Sequence, residues 1–300
     1  MKLSPITRNR LIAICAPVFW SLTGVVIRLL EHADQWQANF YRSGSLAIFL
    51  MVYLFIRHGR RVFEVVSRSS WKAVLGGFFV GIAMFCNIVA IAHTTVANAT
   101  LMMAAGPIIA AIFGGIVLGE KVTSITWLAI VIAAVGIAIM VGGNPLEGGI
   151  MGDMIALLGM IGFGCYAIVL RTGRDVDMTP AVLYAGLFSA GAAGAVSLTL
   201  GNGLVIPLND VLYCSFLGVV QLGVGSILFA IASSGIPAVE LTLIALGEPV
   251  LAPVWVWLAV GEVPASSTFI GGAILAVAVF IHLFANKNSQ SANDDSHRKI

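Results

Sequence analysis

Ten continuous apolar stretches, most of them close to twenty residues long, leave this chain few ways to fold. They run over 11–30, 38–56, 71–92, 96–118, 124–143, 151–171, 179–200, 210–232, 239–260 and 267–285. A helix needs about 20 mostly apolar residues to cross the hydrocarbon core of a bilayer. A membrane barrel would instead show alternating strands of about ten residues. The runs are unbroken, so the chain reads as an all-α polytopic membrane protein. Little is left over for a soluble domain, and only 286–300 (NKNSQSANDDSHRKI) reads as a disordered polar tail. Charged residues make up 10% of the chain, against about a quarter in an average globular domain. That shortage excludes a cytosolic enzyme and a nucleic-acid binder, and a net charge of +2 offers little to a polyanion. Lys2, Arg8 and Arg10 precede the first run as they would in a signal peptide. The run is long for that role and nine more follow, so it is taken as a retained first helix.

The basic residues set the orientation. With ten alternating helices and a cytoplasmic N-terminus, fourteen of the sixteen Lys and Arg fall on the cytoplasmic side, leaving only Arg28 and Arg42 elsewhere. Both termini are therefore expected in the cytoplasm, with the protein in the inner membrane. Cys15, Cys86, Cys165 and Cys214 are widely spaced in apolar surroundings and read as small core residues. No metal ligand set and no cofactor motif is recognisable.

The chain also repeats itself. At a shift of 142 residues, TLMMAAGPIIAAIFGGIVLGEKVTSIT (100–126) falls on TLIALGEPVLAPVWVWLAVGEVPASST (242–268) without a gap. Pro107 meets Pro249, Gly119 meets Gly261 and Glu120 meets Glu262. A shift of 143 pairs Arg28 with Arg171 and Tyr41 with Tyr184. The reading is two five-helix units, 1–143 and 144–285. An odd helix count enters the second unit from the opposite side, which makes the repeat inverted. Such repeats serve alternating access around a site near the midplane.

Those residues resemble a known family. Pro followed by an apolar run and Gly-Glu at the ends of the fourth and ninth helices, Phe19-Trp20-Ser21, Tyr41-Arg42 and Gly247-Glu248-Pro249 are similar to the EamA-type transporters of the drug/metabolite transporter superfamily. The resemblance covers nearly the whole chain. It implies ten helices in two inverted halves around a central cavity, and a small organic solute as cargo. Amino acids, S-adenosylmethionine-like metabolites, flavins and organic cations are all carried within that family, and many members are exporters.

Several residues are candidates for contact with such a solute. Glu248 is an acid deep inside a span, where a carboxylate is costly unless it faces a cavity or a partner. It reads as a cation or proton site, or as a structural acid held by a basic group. Arg42 lies one turn inside the second helix. A substrate carboxylate, the membrane interface and Glu248 itself are its three alternatives. Together Arg42 and Glu248 suit an amphoteric substrate such as an amino acid, which is the preferred reading. Trp20, Tyr41, Tyr166 and Trp255 are intramembrane aromatics, and Trp20 and Tyr166 lie near equivalent positions of the two halves. Asn98, Met102 and Gln221 are polar or soft residues in apolar helices, where polar groups turn inward. Pro107 and Pro249 each delete a helical hydrogen bond and mark hinges or kinks. Glu120 and Glu262 read as caps of short turns. Gly77 with Gly81, Gly186 with Gly194, and Gly272 with Ala276 read as packing ridges.

The five histidines are scattered and no HExxH or GxSxG occurs, so a membrane-embedded enzyme is disfavoured. A non-transporting subunit lacks loops long enough to form a binding domain. No Walker A motif is present, so coupling rests with protons or with none. The expected partners are a small-molecule substrate and the bilayer. A five-plus-five bundle encloses its own cavity, so a monomer or a weak homo-oligomer suffices.

Overall fold

The computed structural model describes the backbone of residues 5–94, 96–141, 149–261 and 263–297, without the side chains of 5, 91–92, 96–98, 260 and 284–297. Among these residues, ten helices are long and apolar enough to cross a membrane. They are α1 (Ile6–Ile27), α2 (Gln35–His58), α3 (Trp71–Ala90), α4 (Ala99–Leu118) and α5 (Ser124–Val141). The second set is α6 (Ile150–Thr172), α7 (Thr179–Thr199), α8 (Leu208–Ala232), α9 (Ala238–Ala259) and α10 (Ser266–Leu283). They fall on the ten expected runs. Local chemistry sets several starts. Asp34 caps α2 by accepting from the Trp36 and Gln37 amides, and Gln37 answers from its side chain. Ser70 caps α3, and Asp177 accepts from the Thr179 amide ahead of Pro180 in α7. Gly119 and Gly261 close α4 and α9 in the left-handed region, at φ 64° and 76°. The Gly of each repeated Gly-Glu pair is therefore the helix stop. Past α10 the backbone stays helical through His297, where a disordered tail is expected, and no Gly or Pro follows Gly272 to end it. The expected boundary between units, near 143–144, falls partly outside the described residues.

Several helix contacts recur in equivalent places of the two repeats. α1 lies against α8, and α3 against α6. α2 lies against α8, and α3 against α7; α4 packs on α6, and α9 on α1. The pairs α2–α7, α4–α9 and α5–α10 join equivalent helices. Exchanging the two halves turns this set of contacts into itself. Polar contacts join the halves at both ends. At the end carrying the start of α1, here called the base, Arg10 pairs with Glu240 and Glu120 pairs with Arg171. At the opposite end, the top, Asp210 accepts from the His32 and Ala33 amides, and Gln37 donates to the Gly203 carbonyl.

The outer face is apolar: Ile48, Ile56, Ile116 and Leu258 are among the exposed side chains. In water such a girdle would aggregate; in a bilayer it is the lipid contact. Trp71 and Trp127 lie exposed at helix starts, as an interfacial belt requires. Inside, small residues allow close approach. A Cβ on Gly77 would stand 2.5 Å from the Tyr184 Cβ and 2.7 Å from the Ala181 carbonyl, so α3 and α7 touch backbone to backbone there. The α10 ridge uses Gly271 against Gly136 of α5, one residue before the Gly272 expected, because helix rotation turns Gly271 into the α5 interface.

Gly77→Val should lower thermal stability by about 1–3 kcal/mol, read as the midpoint of monodisperse elution after heating. Gly191→Ala, with open space around its Cβ position, should cost nothing measurable in the same assay.

Candidate functional site: a cavity between the two repeats

Four spans depart from regular α-helix, and all four do so beside one cavity. α1 breaks after Trp20 and resumes at Thr23. α4 is interrupted between Met102 and Ala105, and α9 between Ala245 and Gly247. Each of those two breaks lies three or four residues before a proline, Pro107 or Pro249, whose missing N–H frees the carbonyl one turn back. Tighter bonds take over locally, from the Gly106 amide to the Met103 carbonyl and from the Leu246 amide to the Leu243 carbonyl. α8 widens into a π-helix over Leu217–Val224. No proline marks that stretch, and nothing in its residues announces it. Gly218 lies inside it, where a Cβ would collide with the Arg42 carbonyl of α2.

The cavity enclosed by these breaks is about 120 Å³ and draws walls from both halves. Part of its lining follows the repeat. Trp20 and Phe163 are equivalent at a shift of 143, as are Thr23 and Tyr166. At 142, Val80 answers Leu222, Met84 answers Ser226, Met103 answers Ala245 and Gly106 answers Glu248. Both members of each of these pairs line the cavity, which therefore takes residues from equivalent places in the two sequence repeats. The Trp20 and Phe163 rings meet edge to face at 5.8 Å. Phe229 stands 5.2 Å from Trp20, and 6.1 Å from Tyr166 on which it stacks. Gly225 makes room for this cluster, since a Cβ there would stand 2.5 Å from the Trp20 Nε1.

The polar groups are few and unspent. Trp20 Nε1, Arg42 Nε, Tyr166 Oη and Gln221 Oε1 are buried with no hydrogen-bond partner. Arg42 is 4% exposed. Arg42 and Glu248 both line the cavity but form no ion pair with each other within 4.0 Å. Gln221 is oriented by donating from Nε2 to the Trp20 carbonyl at 3.3 Å, which leaves its Oε1 to accept. Buried polar atoms normally find partners, so four orphans around one cavity require an explanation. Donors (Trp20, Arg42, Tyr166) and acceptors (Gln221, Glu248) are both present, and the remaining lining is largely apolar. The arrangement can hold an organic molecule carrying both charge signs.

Of the residues picked from sequence, Trp20, Arg42, Tyr166, Gln221, Glu248 and Pro107 therefore line the cavity. Tyr41 does not: its hydroxyl donates to the Leu204 carbonyl at 2.7 Å and ties the top together. Trp255 does not: its Nε1 donates to Ser21 Oγ at 2.8 Å, bracing the break in α1. Met102 is replaced by its neighbour Met103, because the break at that point turns the helix face by one residue. Pro249 is buried behind Glu248 rather than on the wall. The Asn98 side chain and Glu262 lie outside the described residues. Phe163, which sequence analysis passes over, is the residue that the repeat register pairs with Trp20; the register itself was the signal.

A second polar cluster lies at the base. Arg10 grips Glu240 with two bonds, Nε to Oε1 at 2.5 Å and Nη2 to Oε2 at 3.0 Å. His282 Nε2 stands 3.5 Å from Glu240 Oε2. Glu240 is 1% exposed, a second buried acid missed because it stands one residue inside the expected start of its span. Nearby, Glu120 does not cap its own turn. It accepts from Arg171 at 2.9 Å and from the Ala238 amide at 3.3 Å, so it caps α9 from the other half.

The family model for the EamA-like transporter family matches residues 9–142 and matches again over 150–284. Among curated relatives, an uncharacterized transporter of Vibrio cholerae is 25% identical over 65% of this chain and 60% of its own length. An uncharacterized transporter of Clostridium kluyveri is 24% identical over 75% of this chain and 74% of its own. A crystal structure at 17% identity shares the fold, with a TM-score of 0.79 over 94% of this chain and 98% of the other.

The two buried arginines should respond oppositely to loss of charge in the ligand-free protein. Arg10→Met strands Glu240 and should cost about 3–5 kcal/mol. Arg42→Met removes an unpaired charge and should be neutral or stabilising by about 1–4 kcal/mol. Thermal unfolding in detergent reads both; a comparable loss for Arg42→Met would make that residue a structural one.

Proposed function

We propose that this chain, which belongs to the EamA-like transporter family, is a secondary transporter for a small amphoteric metabolite, an amino acid or a compound with the same two charged groups. The observation that carries this reading is the pair Arg42 and Glu248, unpaired and facing one cavity between the halves. Arg42, on a lining that also carries the unpaired Trp20 N–H and Tyr166 hydroxyl, suits a carboxylate. Glu248 and the Gln221 carbonyl suit an ammonium. Each charged group of the protein then meets its counter-charge only when the solute is bound, which offsets the cost of burying both. Met84, Met103, Met160 and Phe163 supply an adaptable apolar wall for the rest of the molecule.

The transport cycle in this reading is alternating access by two inverted five-helix units, 1–143 and 144–285. The paired lining residues of the cavity and the self-mapping helix contacts support the inversion. The basic residues Arg57, Lys72, Lys121 and Arg171 gather at the base, which supports a cytoplasmic base with both termini there. A second reading, an organic cation, draws on a different observation: the ring cluster of Trp20, Phe163, Tyr166 and Phe229 with a single acid near it.

The test is counterflow in proteoliposomes with labelled neutral amino acids, their amides, their N-acetyl forms and tetraethylammonium. Free amino acids should exchange above the empty-liposome background, and both blocked forms should lose most of that exchange. Arg42→Gln should weaken apparent affinity by about 10- to 100-fold, the value of one charged hydrogen-bonded contact. Tetraethylammonium exchange without amino-acid exchange would replace the first reading by the second. Background flux for all probes would remove both.

A further inference from the structure

We propose that Arg10, Glu240 and His282 form a proton site, separate from the central cavity, whose occupancy decides whether the two halves can part at the base. The inference rests on the transporter reading above and adds to it the coupling ion and where that ion binds.

The three side chains come from three helices and from both halves: Arg10 from α1, Glu240 from α9 and His282 from α10. Glu240 and His282 are 1% and 2% exposed. Arg10 and Glu240 alone make a closed, neutral pair, and Arg10 Nη1 also donates to the Leu283 carbonyl at 3.3 Å. A third ionisable group, His282, is buried against that pair. An imidazole there matters if Glu240 must at some stage do without Arg10.

Parting of the halves at the base would create that stage. Arg10 belongs to the first half, Glu240 to the second, so the bond between them crosses the line of separation. A buried carboxylate left without a counter-charge is strongly unfavourable. His282 belongs to the same half as Glu240, and its Nε2 already stands 3.5 Å from the carboxylate. Protonated, it replaces Arg10 as counter-charge and moves with Glu240. Neutral, it cannot, and the base stays shut. Protonation adds one hydron to an imidazole nitrogen and needs no other reactant.

The proton has a route. A second cavity, about 180 Å³, reaches Glu240 and His282 between α4, α5, α9 and α10. The other charged groups on its wall are Glu120 and Lys121. Glu120 is engaged by Arg171 and the Ala238 amide. It therefore does not compete for the His282 charge, and Lys121 lies half-exposed at the rim. The repeat positions carry different residues: Arg10 answers to Asp153 at a shift of 143, and Glu240 and His282 answer to Asn98 and Met140 at 142. The proton site is thus a feature of the base alone, and a cycle in which only one face is proton-gated follows from that asymmetry.

Spin labels test this directly. Arg8→Cys in the first half and Ser234→Cys in the second, both exposed and at the base, are placed in a chain whose four cysteines are replaced by alanine. Pulsed electron–electron distances are read in liposomes at about pH 8 and about pH 5.5, a range that spans imidazole titration. The wide-distance population should rise at least about threefold on acidification, within the roughly tenfold per pH unit that one proton allows. His282→Gln should abolish the rise. His282→Lys, which carries the charge at both pH values and provides an independent arm should His282→Gln not elute as a monodisperse species, should be wide at both. A pH response that survives His282→Gln, a narrow His282→Lys, or no response in the parent chain would each overturn the proposal. Counterflow of labelled amino acids in the same liposomes separates the two readings. Flux with a pH-independent distance refutes the proton site only. A His282-dependent distance change without flux refutes the amphoteric substrate only.

Discussion

Lipid offers a peptide backbone no hydrogen bonds, and that single deficit organises the whole molecule. Every span must satisfy its own N–H and C=O groups, which leaves the helix as the form for these ten runs. Any departure from the helix is then tolerable only where protein or a wet cavity can take up the freed groups. All four marked departures in the described spans face the same space: the breaks in α1, α4 and α9 and the π stretch of α8. The cavity is where irregular backbone is permitted, and the irregular backbone in turn gives the cavity its width.

The same low dielectric makes each buried charge informative. Glu240 is held by Arg10 at hydrogen-bonding distance and Glu120 by Arg171, and both pairs tie one half to the other at the base. Arg42 and Glu248 are not so held, although they lie in the same protein under the same penalty. Fully satisfied pairs behave as fasteners between helices of the two repeats. Unsatisfied groups facing a cavity behave as a site, and the difference between the two sets is visible only in their partners.

Symmetry between the halves and its violation divide the labour further. The scaffold keeps the repeat: Gly119 and Gly261 end their helices in the same left-handed conformation, and Pro107 and Pro249 follow equivalent breaks. The chemistry abandons it. Glu248 stands opposite Gly106, Tyr166 opposite Thr23 and Ser226 opposite Met84. A symmetric frame supplies two related shapes, while an asymmetric lining lets one solute be held in one orientation.

Much of this was readable from residues alone. Unbroken apolar runs have only one stable form in a bilayer, so the ten helices followed from composition and length. The register of the repeat placed Pro107 on Pro249 and Gly119 on Gly261, and it also held the pairing of Trp20 with Phe163. What sequence could not contain was partnership. Tyr41 and Trp255 looked like Trp20, and Glu120 like a cap of its own turn, until the structure showed whose carbonyl, hydroxyl or amide they meet. Glu240, at the very start of its span, carried no signal in the sequence; its partner Arg10 lies 230 residues away. Periodicity and composition are local properties of a chain, and they were enough to mark which segments are long and apolar enough to cross a membrane. Hydrogen bonding and charge pairing join residues far apart in the chain. Only the tertiary structure could decide which polar groups are spent on the fold and which are left for a ligand.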